Sequence, residues 1–167
     1  EIATHGHNIR GRSNVTIDNL CIKFTGSHGI GAGTCENLVV RNCEIGWIGG
    51  AIQYVAAKGN IVRYGNAVEI YGGCDGFYVC DNWIYQIFDD GITNQYHNPE
   101  VDCIQKDMRY MGNLLEYVYH DFSNCNFTEE LIYEKDFPTE GEGAYTDYTS
   151  DLVVAYNVCR MAGYGWG

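Results

Sequence analysis

Only 2 prolines interrupt the 167 residues, and only 10 Lys and Arg stand against 22 Asp and Glu. The formal net charge of −12 leaves no basic patch to meet a phosphate backbone, so nucleic acid is not an expected partner. A polyanionic substrate would need an intervening cation. No apolar run approaches the roughly 20 residues that cross a bilayer, so no membrane span is expected. No stretch rich in Ala, Leu, Glu and Lys offers a long helix. The opening residues carry no signal-peptide pattern, and a start at Glu1 rather than Met suggests a processed or excised segment. The eight cysteines (21, 35, 43, 74, 80, 103, 125 and 159) include no CxxC pair, which removes the commonest zinc and redox signatures. Their even number permits disulfides, and Cys103 with Cys125 is the expected pair because both fall in long loops.

What the chain does hold is 21 glycines, 14 tyrosines and many short Val/Ile-rich runs, the composition of strands separated by turns. With 46% apolar residues, the length fits one domain with its own core.

A repeat lies beneath this composition. The segments "VTIDNLCI" (15–22), "LVVRNCEI" (38–45), "VAAKGNIV" (55–62), "FYVCDNWI" (77–84), "MRYMGNLL" (108–115) and "LVVAYNVC" (152–159) share one pattern of two alternating apolar residues, a turn and a further apolar residue. That describes a strand which bends and continues. The steps of 23, 17, 22, 31 and 44 residues are too short at their smallest for helical-hairpin repeats of about 33 to 47 residues, and they suit a stacked strand unit. The longer steps carry inserted loops at 93–107 and 123–151. Asn60, Asn82, Asn113 and Asn157 occupy one position of four successive segments, where stacked amides form a hydrogen-bonded ladder.

On the repeat and the Asn ladder, from about Ser13 to Gly167, the sequence resembles the right-handed parallel β-helix proteins of the pectate-lyase-like group. The resemblance implies an all-β solenoid of about six repeats with two long loop insertions, forming one domain over 1–167. It implies polysaccharide processing, in an extracellular or cell-surface setting, as the function. No amphipathic cap helix stands at either end and the last repeat stops at "AGYGWG", so further domains of a longer parent chain are expected.

Downstream of the apolar triplets the repeats resume with "SHGI" (27–30), "GGAI" (49–52), "GNAV" (65–68), "DDGI" (89–92), "HDF" (120–122) and "YGWG" (164–167). Aligned there, Asp90 and Asp121 become neighbours at one strand spacing, about 4.8 Å, with Asp89 and His120 alongside. A one-residue ambiguity at Asp121 leaves open an offset pairing of Asp90 with His120. Two carboxyl groups about 5 to 5.5 Å apart suit a retaining glycosidase. Mutual repulsion would raise the pKa of one of them and split the roles, Asp90 as nucleophile and Asp121 as acid/base. Glu69 and Gln53 fall in an adjoining outward column, and His28 stands about 14 Å from Asp90, suited to a sugar subsite. Tyr96 and His97, on the first long loop, complete the expected substrate-binding set, and Tyr133, Tyr145 and Tyr148 on the second offer rings for sugar faces.

The expected activity is therefore glycoside hydrolysis of a neutral or weakly charged glycan, with no obligate cofactor. "DDG" at 89–91 resembles the Asp pair of polygalacturonase-type hydrolases. Their downstream Gly-His-Gly and Arg-Ile-Lys are absent, so pectin specificity is not carried over. Two alternatives stand beside it. A Ca²⁺-dependent polysaccharide lyase would use Asp89, Asp90 and Asp121 as oxygen ligands and recruit Arg63 or Arg109 as base. A non-catalytic β-helical segment of a surface or phage protein would use the same acids only to solvate turns.

Overall fold

Short alternating runs bounded by Asn, Asp and Gly can satisfy their backbones only by pairing with other runs, and they do so almost entirely in parallel. The computed structural model describes residues 6–9, 11–95, 103–124 and 147–163, with backbone alone at 57, 103, 123–124 and 147–149. Among these residues the chain is all-β, without an α-helix. The strands are β1 (His7–Asn8), β2 (Ser13–Asp18), β3 (Cys21–Thr25), β4 (Ile30–Ala32), β5 (Cys35–Arg41), β6 (Glu44–Ile48), β7 (Ile52–Val55), β8 (Ile61–Arg63), β9 (Val68–Tyr71), β10 (Cys74–Cys80), β11 (Trp83–Gln95), β12 (Cys103–Met111), β13 (Leu114–Asn124), β14 (Asp147–Ala155) and β15 (Val158–Arg160).

One parallel sheet runs β2-β5-β10-β12-β14, and its register places Val15, Leu38, Phe77, Met108 and Leu152 in a single file. The second sheet is built around β11, which pairs with β6 through Trp83–Ile87 and with β9 through Ile92–Gln95. β13 runs beside both halves of β11. Residues from both sheets form one hydrophobic core: Leu38, Val40, Phe77, Val79 and Met108 from the first, Ile45, Ile84, Ile87, Ile92 and Leu115 from the second. Each fully buried Ile or Leu contributes about 1.5 to 3 kcal/mol, so a one-residue slip of β11 that turned Ile84 and Ile87 outward would cost several kcal/mol. A buried polar link joins the sheets. Tyr110 donates its hydroxyl to Asn94 (2.9 Å), Asn94 donates to Gln105 (2.9 Å), and Gln105 donates to the Gly72 carbonyl (2.8 Å).

The ladder expected at the turns is present in three members. Asn157 Oδ1 accepts the Asn113 amide N–H, Asn113 Oδ1 accepts that of Asn82, and Asn82 Oδ1 accepts that of Cys43, at 2.8, 3.0 and 2.9 Å. Cys43 takes the fourth place.

The segment 55–62 is not a member of the stack, which corrects both the repeat count and the position given to Asn60. β7 and β8 pair antiparallel, as a hairpin turned through Ala57–Gly59 with Lys58 and Gly59 at φ 72° and 80°. Val55 and Ile61 are exposed rather than in the core. The chain leaves the stack at Gly49 and rejoins it at Gly65, where a Cβ on Gly49 would lie 2.7 Å from the Gly65 Cα. The "GGAI" segment therefore drops out of the downstream alignment as well, and Val68 pairs directly with Ile30.

Three files of left-handed residues mark where the repeats bend. Between or just beyond paired positions, Asn14, Asn37, Gly76, Asp107 and Asp151 form one, Asn19, Asn42, Asp81, Gly112 and Tyr156 the second, and Phe24, Trp47, Gln86, Tyr117 and Met161 the third.

A candidate active site at the β11 bulge

β11 and β13 stay in register until Ile87 opposite Val118, but Asp90 stands opposite His120 and Ile92 opposite Phe122. β11 thus spends one more residue than β13 in the same interval. An extra residue in one strand is a bulge, which breaks the alternation of faces and re-aims side chains. Here it brings consecutive residues, Asp89 and Asp90, toward the same partner. One donor atom from each of Asp89, Asp90 and His120 lies within 4.8 Å of the others.

His120 Nδ1 and Asp90 Oδ1 are 2.8 Å apart, with the Asp90 side chain 12% exposed and that of His120 58%. The Asp90 backbone N–H is donated to Asn66 Oδ1 at 2.9 Å. Burial raises the pKa of Asp89 first, and the negative charge of Asp90 adds to it, against a smaller opposing effect of His120. Asp89 is therefore held above the usual carboxylate range.

Asp89 also lines a polar groove of about 520 Å³, with His28, Tyr64, Asn66, Glu69, Tyr71 and Gln95. The groove is floored by Glu69, whose carboxylate is buried and held by three nitrogens. Asn66 Nδ2 donates to Oε2 (2.6 Å), Gln95 Nε2 donates to Oε2 (2.8 Å), and His28 Nε2 lies 3.3 Å from Oε1. His28 Nδ1 accepts the Asn66 backbone N–H at 3.1 Å, which leaves the ring proton on Nε2, facing Glu69. The Tyr64 ring stacks on His28 at 5.1 Å between centroids. A continuous set of hydrogen bonds therefore runs from His120 through Asp90 and Asn66 to Glu69.

Of the residues expected from sequence, the structure brings together Asp89, Asp90 and His120 in one cluster, and Asp89, Glu69 and His28 line the groove. Glu69 pairs with Thr93, as the alignment gave. With 49–52 out of the stack, His28 is two strand spacings from the Asp90 position, about 10 Å, instead of three. Asp121 departs from its expected place. It falls beside Gly91, between the Asp90–His120 and Ile92–Phe122 pairs. It lies close enough to Cys159 that the thiol pKa is pushed up to about 11 by burial and by the Asp121 carboxylate, and Asp121 Oδ1 is buried without a hydrogen-bond partner among the described residues. Asp121 itself is raised mainly by burial. The bulge is the reason: counted from Ile87 the partner of Asp90 is Asp121, but counted from Ile92 it is His120. Gln53 is also placed elsewhere, its amide donated to the carbonyls of Gly26 and Ala51 at 2.9 and 3.0 Å on the hairpin. Tyr96, His97, Tyr133, Tyr145 and Cys125 lie outside the described residues, as does the side chain of Tyr148.

Sequence reasoning did not select Tyr64, Asn66, Tyr71 and Gln95. Asn66 stood in the aligned column and Gln95 follows the same strand, but only the direct pairing of β9 with β11 makes the two amides converge on Glu69.

As a cation site, Asp89, Asp90 and His120 offer two carboxylates and an imidazole. Ca²⁺ takes oxygen ligands, and with Asp121 outside the cluster the three-carboxylate set is not assembled, so the donors suit a borderline transition metal better. Arg63 donates to the Gly50 carbonyl (2.7 Å) and Arg109 is paired with Asp107 (2.7 Å) on the other sheet. Neither reaches the cluster.

Comparison with family models, with curated proteins and with solved structures finds no match for this chain.

Proposed function

We propose that the chain is a right-handed parallel β-helix that hydrolyses a neutral or weakly charged glycan at the β11 bulge, with Asp89 as proton donor and Asp90 as nucleophile. Parallel pairing through the file Val15, Leu38, Phe77, Met108 and Leu152, together with the three-member Asn ladder, supports the helical fold. The observation that carries the activity is the convergence of Asp89, Asp90 and His120, of which Asp89 lines a polar groove.

In this reading a sugar lies along the groove with its rings against Tyr64 and Tyr71 and its hydroxyls toward Glu69 and Gln95. Asp89 protonates the leaving oxygen. Asp90, oriented by His120, attacks the anomeric carbon, and Asp89 then accepts a proton from the water that releases the product. Donor atoms within 4.8 Å leave less than the gap of about 6.5 to 9.5 Å that an inverting mechanism needs for its water, so retention is expected. Elimination chemistry would need a cationic base in the cluster, and Arg63 and Arg109 are engaged elsewhere. An extracellular or cell-surface setting belongs to the same proposal.

The test is a glycan panel scored for reducing ends, with product stereochemistry followed by NMR on any responsive substrate. Asp89→Asn and Asp90→Asn should each lower turnover at least 100-fold with the circular dichroism spectrum unchanged. Full activity in either variant sinks the assigned roles. Silence of the unmodified chain across the whole panel rejects the enzyme and leaves a non-catalytic scaffold.

A further inference from the structure

Cys35 and Cys74 are opposite one another in the β5–β10 register, and their sulfurs are 3.4 Å apart. Both are buried. No other described thiol faces a second one: Cys21 pairs with Glu44, Cys80 with Arg41 and Met111, and Cys159 with Leu115. The Cys43 thiol lies against the carbonyls of Ile17 and Arg41.

We propose that Cys35 and Cys74 are a modification site, a dithiol that closes to a disulfide when the protein meets a small peroxide. Paired Cα positions on neighbouring strands lie about 4.8 Å apart, inside the disulfide range of about 4.4 to 6.8 Å. The sulfurs must close from 3.4 Å to about 2.05 Å, a side-chain rotation that leaves the register alone. A cleft of about 390 Å³ lined by Thr34, Cys35, Gly73, Cys74, Ile104 and Lys106 opens beside the pair and admits an oxidant of the size of hydrogen peroxide. The hydrogen bond from Cys74 lowers the pKa of Cys35, against burial, which makes Cys35 the attacking sulfur.

The Cys35 thiolate attacks one peroxide oxygen. The O–O bond breaks, hydroxide leaves and takes a proton to become water, and Cys35 carries a sulfenic acid. The Cys74 sulfur then attacks the Cys35 sulfur. The S–O bond breaks, and the departing hydroxide takes the Cys74 proton as a second water. Two thiols lose two electrons and one peroxide gains them. The new bond ties β5 to β10 across the 39-residue step that contains the β7–β8 hairpin. It does not depend on the glycan reading.

The experiment treats the folded, unmodified chain with stoichiometric hydrogen peroxide, blocks remaining thiols under denaturing conditions with N-ethylmaleimide, and maps peptides without reduction. The expected result is a Cys35–Cys74 linked peptide two mass units below the sum of its parts, lost on treatment with dithiothreitol. A melting temperature that rises on oxidation in this chain, and does not rise in Cys35→Ala or Cys74→Ala, is the second readout. Both cysteines recovered as maleimide adducts, or Cys35 recovered as sulfinic acid without a link, overturns the proposal. Because the peptide map uses the unmodified chain, it decides the matter even where a variant fails to fold.

Discussion

Replacing Asn113 with Ala probes the ladder at its centre. The Asn113 side chain accepts the backbone N–H and the side-chain amide of Asn82 at 3.0 and 2.9 Å, and donates to the Val79 carbonyl at 2.8 Å and to Asn157 Oδ1 at 3.0 Å. Alanine removes all four bonds. Asn157 Oδ1 keeps the Asn113 backbone N–H, and the Asn82 amide keeps the Val40 carbonyl, so both retain a partner. The Asn82 backbone N–H loses its acceptor, and Asn82 is buried. An orphaned buried group costs about 1 to 3 kcal/mol, so the variant should lose about 1 to 3 kcal/mol. The measurement is urea unfolding followed by circular dichroism. With a slope of about 2 kcal/mol/M, the midpoint should fall by about 0.5 to 1.5 M at unchanged slope. Asn60→Ala is the internal control, since Asn60 is exposed on the hairpin and should stay within about 0.5 kcal/mol. Equal, small effects at both positions would refute the ladder as a stabilising device and reduce it to a preference of turns for Asn.

Two further outcomes follow from the same geometry. Gly65→Ala sets a methyl group against the backbone of Gly49 and within 3.0 Å of the Ser27 carbonyl, neither of which can yield as a side-chain end does, so a loss of about 1 to 3 kcal/mol in urea melts is expected. A variant as stable as the parent would mean that the neck of the hairpin can open to admit the methyl group. Asp89→Asn should stabilise the fold at pH 7, because the raised carboxyl pKa means that the folded state disfavours the charged form. The native contribution of Asp89 is fully present below the unfolded value of about 3.9 and is lost as pH rises through the higher folded value. The advantage of the Asn variant should accordingly be present at neutral pH and vanish toward pH 3, and a constant difference across that range would contradict the burial of Asp89.

The core and the ladder are legible in the sequence because both are periodic. Leu38, Phe77 and Met108 keep their spacing to the next turn whatever loop follows, and Asn82, Asn113 and Asn157 repeat with them. The segment 55–62 misleads for the same reason: period-two alternation belongs to any half-buried strand, and it does not record whether the partner runs parallel or antiparallel. The Lys58-Gly59 reversal that folds β8 back on β7 is the physical feature that decides it. Within the site, Asp89 and Asp90 stand out by residue type, but the choice between Asp121 and His120 depends on where β11 places its extra residue. Sequence spacing alone counts residues and cannot say which of them is bulged out.

The three files of left-handed residues separate what composition can reveal from what it cannot. Two of them are written mostly in Asn, Asp and Gly, the residues that tolerate positive φ, and they read as turns. The third is written in Phe24, Trp47, Gln86, Tyr117 and Met161, none of which prefers that backbone, at a cost of about 1 to 2 kcal/mol for each. Phe24 is 79% exposed, so burial does not offset the strain there, and its stack on Trp47 at 6.5 Å returns only part of it. The file has one constant relation to the site. Gln86 precedes Asp89 by three residues and Tyr117 precedes His120 by three, so each strand that supplies a group to the cluster is bent three residues before it does so. Strained backbone persists where the surrounding structure over-determines it. Here the fully buried Ile45, Ile48, Ile84, Ile87, Leu115 and Val118 on either side of the file supply that constraint, fixing the direction in which β11 and β13 approach the bulge. The position of Asp89, Asp90 and His120 is thus set by the core through a bend whose residue types give no sign of it.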